Sequence, residues 1–249
     1  MKVDVIIPVH NIKKRGFKRL HLLCHSLMLQ SDFIGKVYVP DSSTNEQYKM
    51  AGMMVDTFDF VDHFKVDNQF FNKPKLINEA IKRSKSDYIF VTDCDYIFSK
   101  DLLKHCENRR DKKTILFKKT MDLPNMNYLN TSIIDRWKFP RLRKNAWGTL
   151  ANGAMQYAHR DFFIKAIKDT PEYLNMEGWG AMDNIIAYIA KYQGLNIHWI
   201  EEGLILHQYH RSEKRRDSMD VKRFNSNQKI LMDYCRKTNQ PQTLLTLKG

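Results

Sequence analysis

Apolar residues recur along this chain in short blocks whose spacing alternates between that of strands and that of helices. Val3 to Val9 is a β-branched run closed by Pro8 and the polar pair His10-Asn11, which predicts a buried strand ending in a loop. Phe17, Leu20, Leu23, Leu27 and Met28 follow at three- and four-residue spacing and predict a helix that returns the chain to a second strand, Lys36 to Val39. That strand runs into Pro40-Asp41-Ser42-Ser43. Lys75 to Ser84 carries Leu76, Ile77, Ala80 and Ile81 on one helical face, and Tyr88 to Thr92 follows it as a strand. Strands alternating with helices imply a mostly parallel sheet. Leu123 to Leu150 breaks the pattern: it is rich in Asn, Arg and Trp, has no clean period, and reads as a long excursion of functional interest. Order returns at Asp161 to Ile167. Met182 to Tyr192 then has a helical pattern and Leu195 to Ile200 a strand pattern, with Gly194 placed to end the helix between them. There is no internal repeat or low-complexity tract.

Composition narrows the class. With 249 residues and 43% hydrophobic content the chain can bury a full core, and one large α/β domain over residues 1–249 is expected. The opening residues hold only the apolar run Val5 to Val9, far short of the roughly 20 residues a membrane span needs, and no small-residue cleavage site follows. Cys24, Cys94, Cys106 and Cys235 show no paired C-x-x-C spacing, so reduced thiols and a cytoplasmic location (host cytoplasm for a phage-encoded chain) are expected rather than a disulfide framework or a zinc cluster. The formal charge of +13 attracts phosphates, whether of nucleotides, nucleic acid or anionic membranes. Basic residues cluster at Arg109 to Lys119, Arg136 to Lys144, and Arg211 to Lys237, the last interleaved with four acids; each run by itself reads first as a solvated face.

Three segments carry candidate chemistry. Tyr88 to Thr92 delivers Asp93-Cys94-Asp95 at a strand end, where open α/β folds place their ligands. Two carboxylates at that spacing suit a hard divalent cation, Mn2+ or Mg2+, whose shell substrate phosphates would complete. An Asp-x-Asp alone more often marks a turn; the buried strand before it gives this one its weight. Glu177 to Asn184 places glycines on both sides of Trp179 and a carboxylate, Asp183, at a helix start. Glycines admit a ligand to the backbone, an indole stacks on a sugar, and an aspartate in a cleft accepts a hydroxyl proton, against the plainer assignment of Asp183 as a cap and Trp179 as core. Leu204 to Leu206 leads into His207 and His210, two imidazoles three positions apart, each structural if alone and metal-ligating if near the aspartates.

In order and approximate spacing these features resemble the GT-A glycosyltransferase superfamily over most of the chain. Val3 through Asn11, with Pro8, His10 and Asn11, is similar to the first strand and nucleotide loop of its family-2 group. The resemblance implies a single Rossmann-like GT-A domain, with residues 1–100 as the nucleotide-sugar half and 101–249 as the acceptor half with its basic C-terminal segment. It further implies that Asp41 helps to recognise the nucleobase, that Lys75 and Asn78 face the donor, and that Asp93 and Asp95 are the nucleotide-sugar and metal carboxylates. Asn152-Gly153-Ala154 resembles a donor-sugar loop of Gly-Gly-Ala type. Gly178 to Asp183 resembles the Gly-Trp-Gly-Gly-Glu-Asp motif of β-galactosyltransferases and chondroitin polymerases. That match implies an inverting reaction with Asp183 as catalytic base and Trp179, Gly180 and Met182 toward the acceptor. His210 matches the family's metal histidine, and His207 falls where the galactosyltransferases have a methionine ligand.

One departure is plain: Met182 replaces the glutamate that helps those enzymes hold a sugar acceptor, and a thioether cannot accept a hydroxyl hydrogen bond as a carboxylate does. The expected reaction is transfer from a nucleotide-sugar, with UDP as the commonest carrier among the relatives resembled, to a hydroxyl on a glycan or small molecule. A phage-type enzyme acting on hydroxylated bases in DNA is the alternative that the charge and Trp137 and Trp147 favour. A non-catalytic binding protein on the same scaffold is the alternative from another class. A two-metal nucleotidyltransferase would leave the Gly-Trp-Gly segment without a task.

Overall fold

The computed structural model describes residues 2–123, 130–136, 143–144, 153–178, 182–208 and 218–239. Its main sheet orders the strands β10-β6-β9-β4-β1-β2-β3, where β1 is Val3–Ile6, β2 Ile34–Asp41, β3 Val61–Lys65, β4 Tyr88–Val91, β6 Thr114–Phe117, β9 Gln156–His159 and β10 Asn196–Trp199. β1 pairs in parallel with β2 and β4, β2 with β3, and β6 with β10; β9 alone runs against its neighbours β4 and β6. The expected mostly parallel sheet is therefore present, with one reversed strand, β9, beside the central β4.

Both faces are covered, which is why β1 and β4 are buried at every position rather than alternating. On one face Val3, Val5, Ile7 and Phe90 pack with Leu20, Leu23 and Leu27 of α1 (Lys14–Met28) and with Ala51 and Val55 of α2 (Asn45–Val55). On the other, Ile6, Ile89 and Val91 pack with Leu76, Ile77, Ala80 and Ile81 of α3 (Lys73–Arg83). Phe162 and Phe163 of α6 (Arg160–Asp169) and Ile185 to Ala190 of α7 (Met182–Tyr192) complete that layer. Met28, counted with the apolar stripe of α1 in sequence, is 39% exposed, because the stripe turns away from the sheet at the helix end. α8 (Ser218–Lys237) docks on α7 through Tyr234 and Cys235. Gly194, at φ +77, ends the α7 turn before β10 as its position suggested.

A second, four-stranded sheet orders β5 (Tyr96–Phe98), β11 (Ile205–His207), β7 (Met121–Asp122) and β8 (Arg143–Lys144). It begins one residue after Asp95, and of its strands only β11 was foreshadowed, by the apolar run Leu204 to Leu206. Of the long excursion, the described regular elements are α5 (Thr131–Arg136) and β8; Trp137 and Trp147 lie outside the described residues.

The topology decides where chemistry collects. The carboxyl ends of β1, β2, β4 and β6 share one edge of the sheet, and the helices that lead into β4 and β10 run back across the layers, so α3 and α7 begin at that same edge.

Candidate active site

Lys73 stands at the centre of that edge. Its ammonium lies 2.6 Å from Oδ1 of Asp93 and 2.5 Å from Oδ1 of Asp183, with only 3% of the residue exposed. The helix starts there because Asn72 caps it, its side-chain oxygen accepting from the Lys75 amide at 2.9 Å, and because Pro74 fits a first turn that needs no amide donor. A cation at a helix amino terminus opposes the helix dipole, so Lys73 is held by the two carboxylates rather than by its own helix. Burial works against its charge, but Asp183 and Asp93 outweigh burial and hold the ammonium above the ordinary lysine range. Asp183, an anion in the first turn of α7, is favoured by the dipole of its own helix, and its Oδ1 also accepts from Nε2 of Gln156 at 2.8 Å.

Asp93 follows the central strand β4. Its amide donates to the carbonyl of Gly153 at 2.7 Å, and a Cβ added to Gly153 would overlap the Asp93 carboxylate. Glycine is required at 153 by this approach. Desolvation, with Asp183 and Asp95 adding negative charge, pushes the Asp93 carboxyl up to about 7 although Lys73 pulls the other way. Asp93, Asp95 and Asp183 thus form a cluster with more carboxylates than Lys73 alone can neutralise.

The second sheet supplies the other wall. β11 sets His207 opposite Tyr96 of β5 and Asp122 of β7, and the Gln208 amide donates to the Asp95 carbonyl at 2.8 Å. Nδ1 of His207 lies 3.0 Å from Oδ1 of Asp122, and Nε2 lies 3.5 Å from Oδ2 of Asp95. Burial lowers the affinity of the ring for a proton, but Asp95 and Asp122 together prevail and raise its pKa. Asp122 orients the imidazole so that Nε2 faces Asp95, the carboxylate–histidine arrangement common behind metal ligands. Among the described residues no group of three His, Cys, Asp or Glu side chains stands ready to hold a metal. Asp95 and His207 supply two suitable donors, and His210 lies outside the described residues.

The loops after β1 and β2 form the remaining side. Asn11 takes a left-handed backbone, φ 44, a region where asparagine is enriched. Its amide donates to Oγ of Ser43 at 2.6 Å and its side-chain oxygen accepts from the Thr44 amide at 2.8 Å. Asn11 Nδ2 donates to Nε2 of His10 at 3.1 Å, so the proton of that ring sits on Nδ1, which faces the Ser42 carbonyl at 3.2 Å. The His10 ring stacks on Phe71 at 5.8 Å between centroids. Pro8 is buried and shapes this turn.

Several residues marked in the sequence stand elsewhere than expected. Lys75 points away from Asp93 and Asp183: its Nζ donates to the Asp67 carbonyl at 3.1 Å and to Asn68 at 3.4 Å, because two residues further along α3 is a little over half a turn around the helix. The lysine at the carboxylates is Lys73, two positions before the one that the resemblance marked; its place next to the cap Asn72 was the available signal. Asn78 is half-buried one turn along α3. Asp41 is 0% exposed, its oxygens accepting from the Ser43 amide at 2.7 Å and facing His63 at 3.1 Å, so it braces the loop from behind and has no exposed surface to offer a nucleobase. Met182 is 3% exposed and faces inward within the main core. Trp179 and Gly180 lie outside the described residues, as does Asn152.

The family model for Glycosyl transferase family 2 matches residues 4–160. No curated protein matches the chain in sequence. Among solved structures, S. aureus TarS 1-349 in complex with UDP-GlcNAc superposes with a TM-score of 0.65 at 15% identity, over 98% of this chain and 69% of that one. GalNAc-T7 with UDP, GalNAc and Mn2+ gives 0.64 at 11% identity, over 95% of this chain and 50% of that one. The mannosyltransferase PcManGT from Pyrobaculum calidifontis, in complex with GDP-Man and Mn2+, gives 0.61 at 15%, over 95% and 64%. At these identities the likeness is one of fold.

Proposed function

Because the chain belongs to glycosyl transferase family 2 and folds as a GT-A glycosyltransferase, we propose that it moves a sugar from a nucleotide-sugar, a UDP-sugar first, to an acceptor hydroxyl with inversion. The observation that carries this reading is the Asp93–Lys73–Asp183 triad at the carboxyl edge of the sheet.

Asp183 acts as the base. Lys73 and Gln156 both donate to Oδ1 and hold the carboxylate in place, and Oδ2 takes the acceptor proton. The acceptor oxygen then bonds to the anomeric carbon from the face opposite the breaking bond to the diphosphate, which gives inversion. Lys73 bridges Asp93 and Asp183 and supplies positive charge beside the departing diphosphate. His10, Asn11 and Phe71 form the wall for the nucleotide, and Gly153 leaves room for the Asp93 carboxylate beside the donor sugar. The donor chemistry of Asp95 and His207, with His210 as the expected third ligand and Asp93 beside them, fits Mn2+ or Mg2+. Bound there, such an ion would supply positive charge against the leaving nucleoside diphosphate.

The default acceptor is a hydroxyl on a glycan or small molecule. A hydroxylated base in DNA is the second reading, favoured by the charge of +13 and by exposed Lys13, Arg15 and Lys18 at the start of α1, on the same edge as the site. Among the described residues no helix is long and apolar enough to cross a membrane. A panel of nucleotide-sugars with Mn2+, with and without EDTA and hydroxymethylated duplex DNA, tests these readings by release of nucleoside diphosphate. Metal-dependent release that rises with the modified DNA selects the DNA acceptor, and release indifferent to DNA selects a glycan or small molecule. No release with any donor returns the chain to a binding role. Asp183→Asn should lower turnover by about 10²- to 10⁴-fold with donor affinity nearly unchanged; equal loss of both would remove Asp183 as base.

A further inference from the structure

α8 reaches the site from a direction that the reaction scheme does not use. Arg223 lays its guanidinium over the ring of Phe70, 3.9 Å from the centroid, while its aliphatic stem packs on Gly178. Gly178 holds φ +73, and a Cβ there would come within 3.2 Å of Arg223 Cβ and Cδ. One turn along the same face, buried Asn227 donates from Nδ2 to the Glu177 carbonyl at 2.8 Å. Between the two loops the Gly178 amide donates to the Phe71 carbonyl at 2.6 Å. One helix thus pins the strand-to-helix loop that ends at Asn72 and Lys73 to the loop that leads, five residues later, to Asp183.

We propose that Arg223 is a positioning residue, which with Phe70 and Gly178 forms a clasp that sets the spacing between Lys73 and Asp183. The physical reason is the geometry of attachment. Lys73 and Asp183 belong to different helices, and a single ion pair between long or mobile groups does not fix their separation. A cation–π contact and a backbone hydrogen bond a few residues upstream of both fix the loops that carry them. Arginine suits the position because its stem covers a glycine while its planar head stacks on a ring, which an ammonium does less well.

The proposal rests on Lys73 and Asp183 being the machinery of sugar transfer, so its test has one readout that needs no turnover. Hydrogen exchange at the Gly178 amide should speed by about tenfold or more in Arg223→Ala and in Phe70→Leu, with the melting temperature otherwise close to that of the parent. In turnover, each variant should lose about 10- to 100-fold in kcat with donor affinity little changed. Arg223→Lys should recover part of the loss, and the double variant should be no worse than either single one. Unchanged Gly178 exchange overturns the clasp, as do kcat losses that multiply in the double variant or a lysine no better than alanine. Should Arg223→Ala fail to fold, Arg223→Lys and Phe70→Leu carry the same comparison. A parent protein that turns over no donor would remove the sugar-transfer reading, and the exchange result would then decide the clasp alone.

Discussion

The Lys73 ammonium and the Asp183 carboxylate meet at 2.5 Å although 110 positions separate them in the chain. Each sits at the first turn of a helix, and the two helices begin at one edge of the sheet because each leads into a strand parallel to β4 or is β4's own predecessor. The contact is a consequence of crossover handedness and helix length, and it changes which lysine matters.

Lys73→Ala should therefore lower turnover by about 100-fold or more, since it removes charge stabilisation at the reacting centre. Lys75→Ala, which loses only contacts to Asp67 and Asn68, should cost less than about tenfold. Steady-state kinetics of the two variants side by side would decide; comparable losses would restore Lys75 to the donor site.

Gly153→Ala introduces a methyl group into the Asp93 carboxylate, and the Asp93–Gly153 backbone bond leaves little room to yield. Turnover should fall by about 100-fold or more while circular dichroism stays native, because the displacement is confined to the end of β4. An active Gly153→Ala enzyme would mean that Asp93 is free to move.

Asp122 holds the ring of His207, so Asp122→Asn should weaken Mn2+ binding by about 10- to 100-fold without removing a ligand. Isothermal titration or Mn2+ electron paramagnetic resonance reads this directly. Unaltered affinity would show that His207 is not a ligand or needs no orientation.

Stability without metal should fall as pH rises. Asp93 titrates near about 7 in the folded chain, above its ordinary value of 3.8, and His207 is raised above 6.5. In both cases the folded state binds its proton more tightly than the unfolded state, so protons favour the fold. For Asp93 the stability present at low pH is lost between about 4 and about 7. For His207 it is present below the unfolded value and lost as pH rises through the folded one. The melting temperature of metal-free protein should drop between pH 5 and pH 8, and Mn2+ should reverse the drop by taking the place of the protons. A melting temperature that climbs across this range would contradict the assignment.

Cys24 and Cys106 are fully buried, and burial pushes the Cys24 thiol up to about 12 and Cys106 above its ordinary range. Neither should react with a thiol reagent at pH 8 until the chain is unfolded. Mass spectrometry after brief alkylation would check this.

Much of the fold was legible in the chain because burial imposes a period. The strand at Tyr88 and the helices at Lys75 and Met182 needed only the alternation of apolar residues, and Met182–Tyr192 was delimited to the residue. The placement of Asp93 and Asp95 just beyond the end of β4 was legible because a continuous apolar run leads straight into them. The second sheet was not, since β7 and β8 have two residues each and no period can show in so few positions. Asp122 was hidden with it.

What the sequence determined by itself was the alternation of strands and helices, the parallel sheet, and the residue types gathered at its carboxyl edge, because these follow from local spacing and burial. Only the tertiary structure decided which side chains meet. Lys73 rather than Lys75 faces the carboxylates, Asp41 is turned inward on His63, Met182 points into the core, and Asp122 stands behind His207. Each of these outcomes depends on the rotation of one element against another, a relation between distant segments that neither composition nor periodicity records.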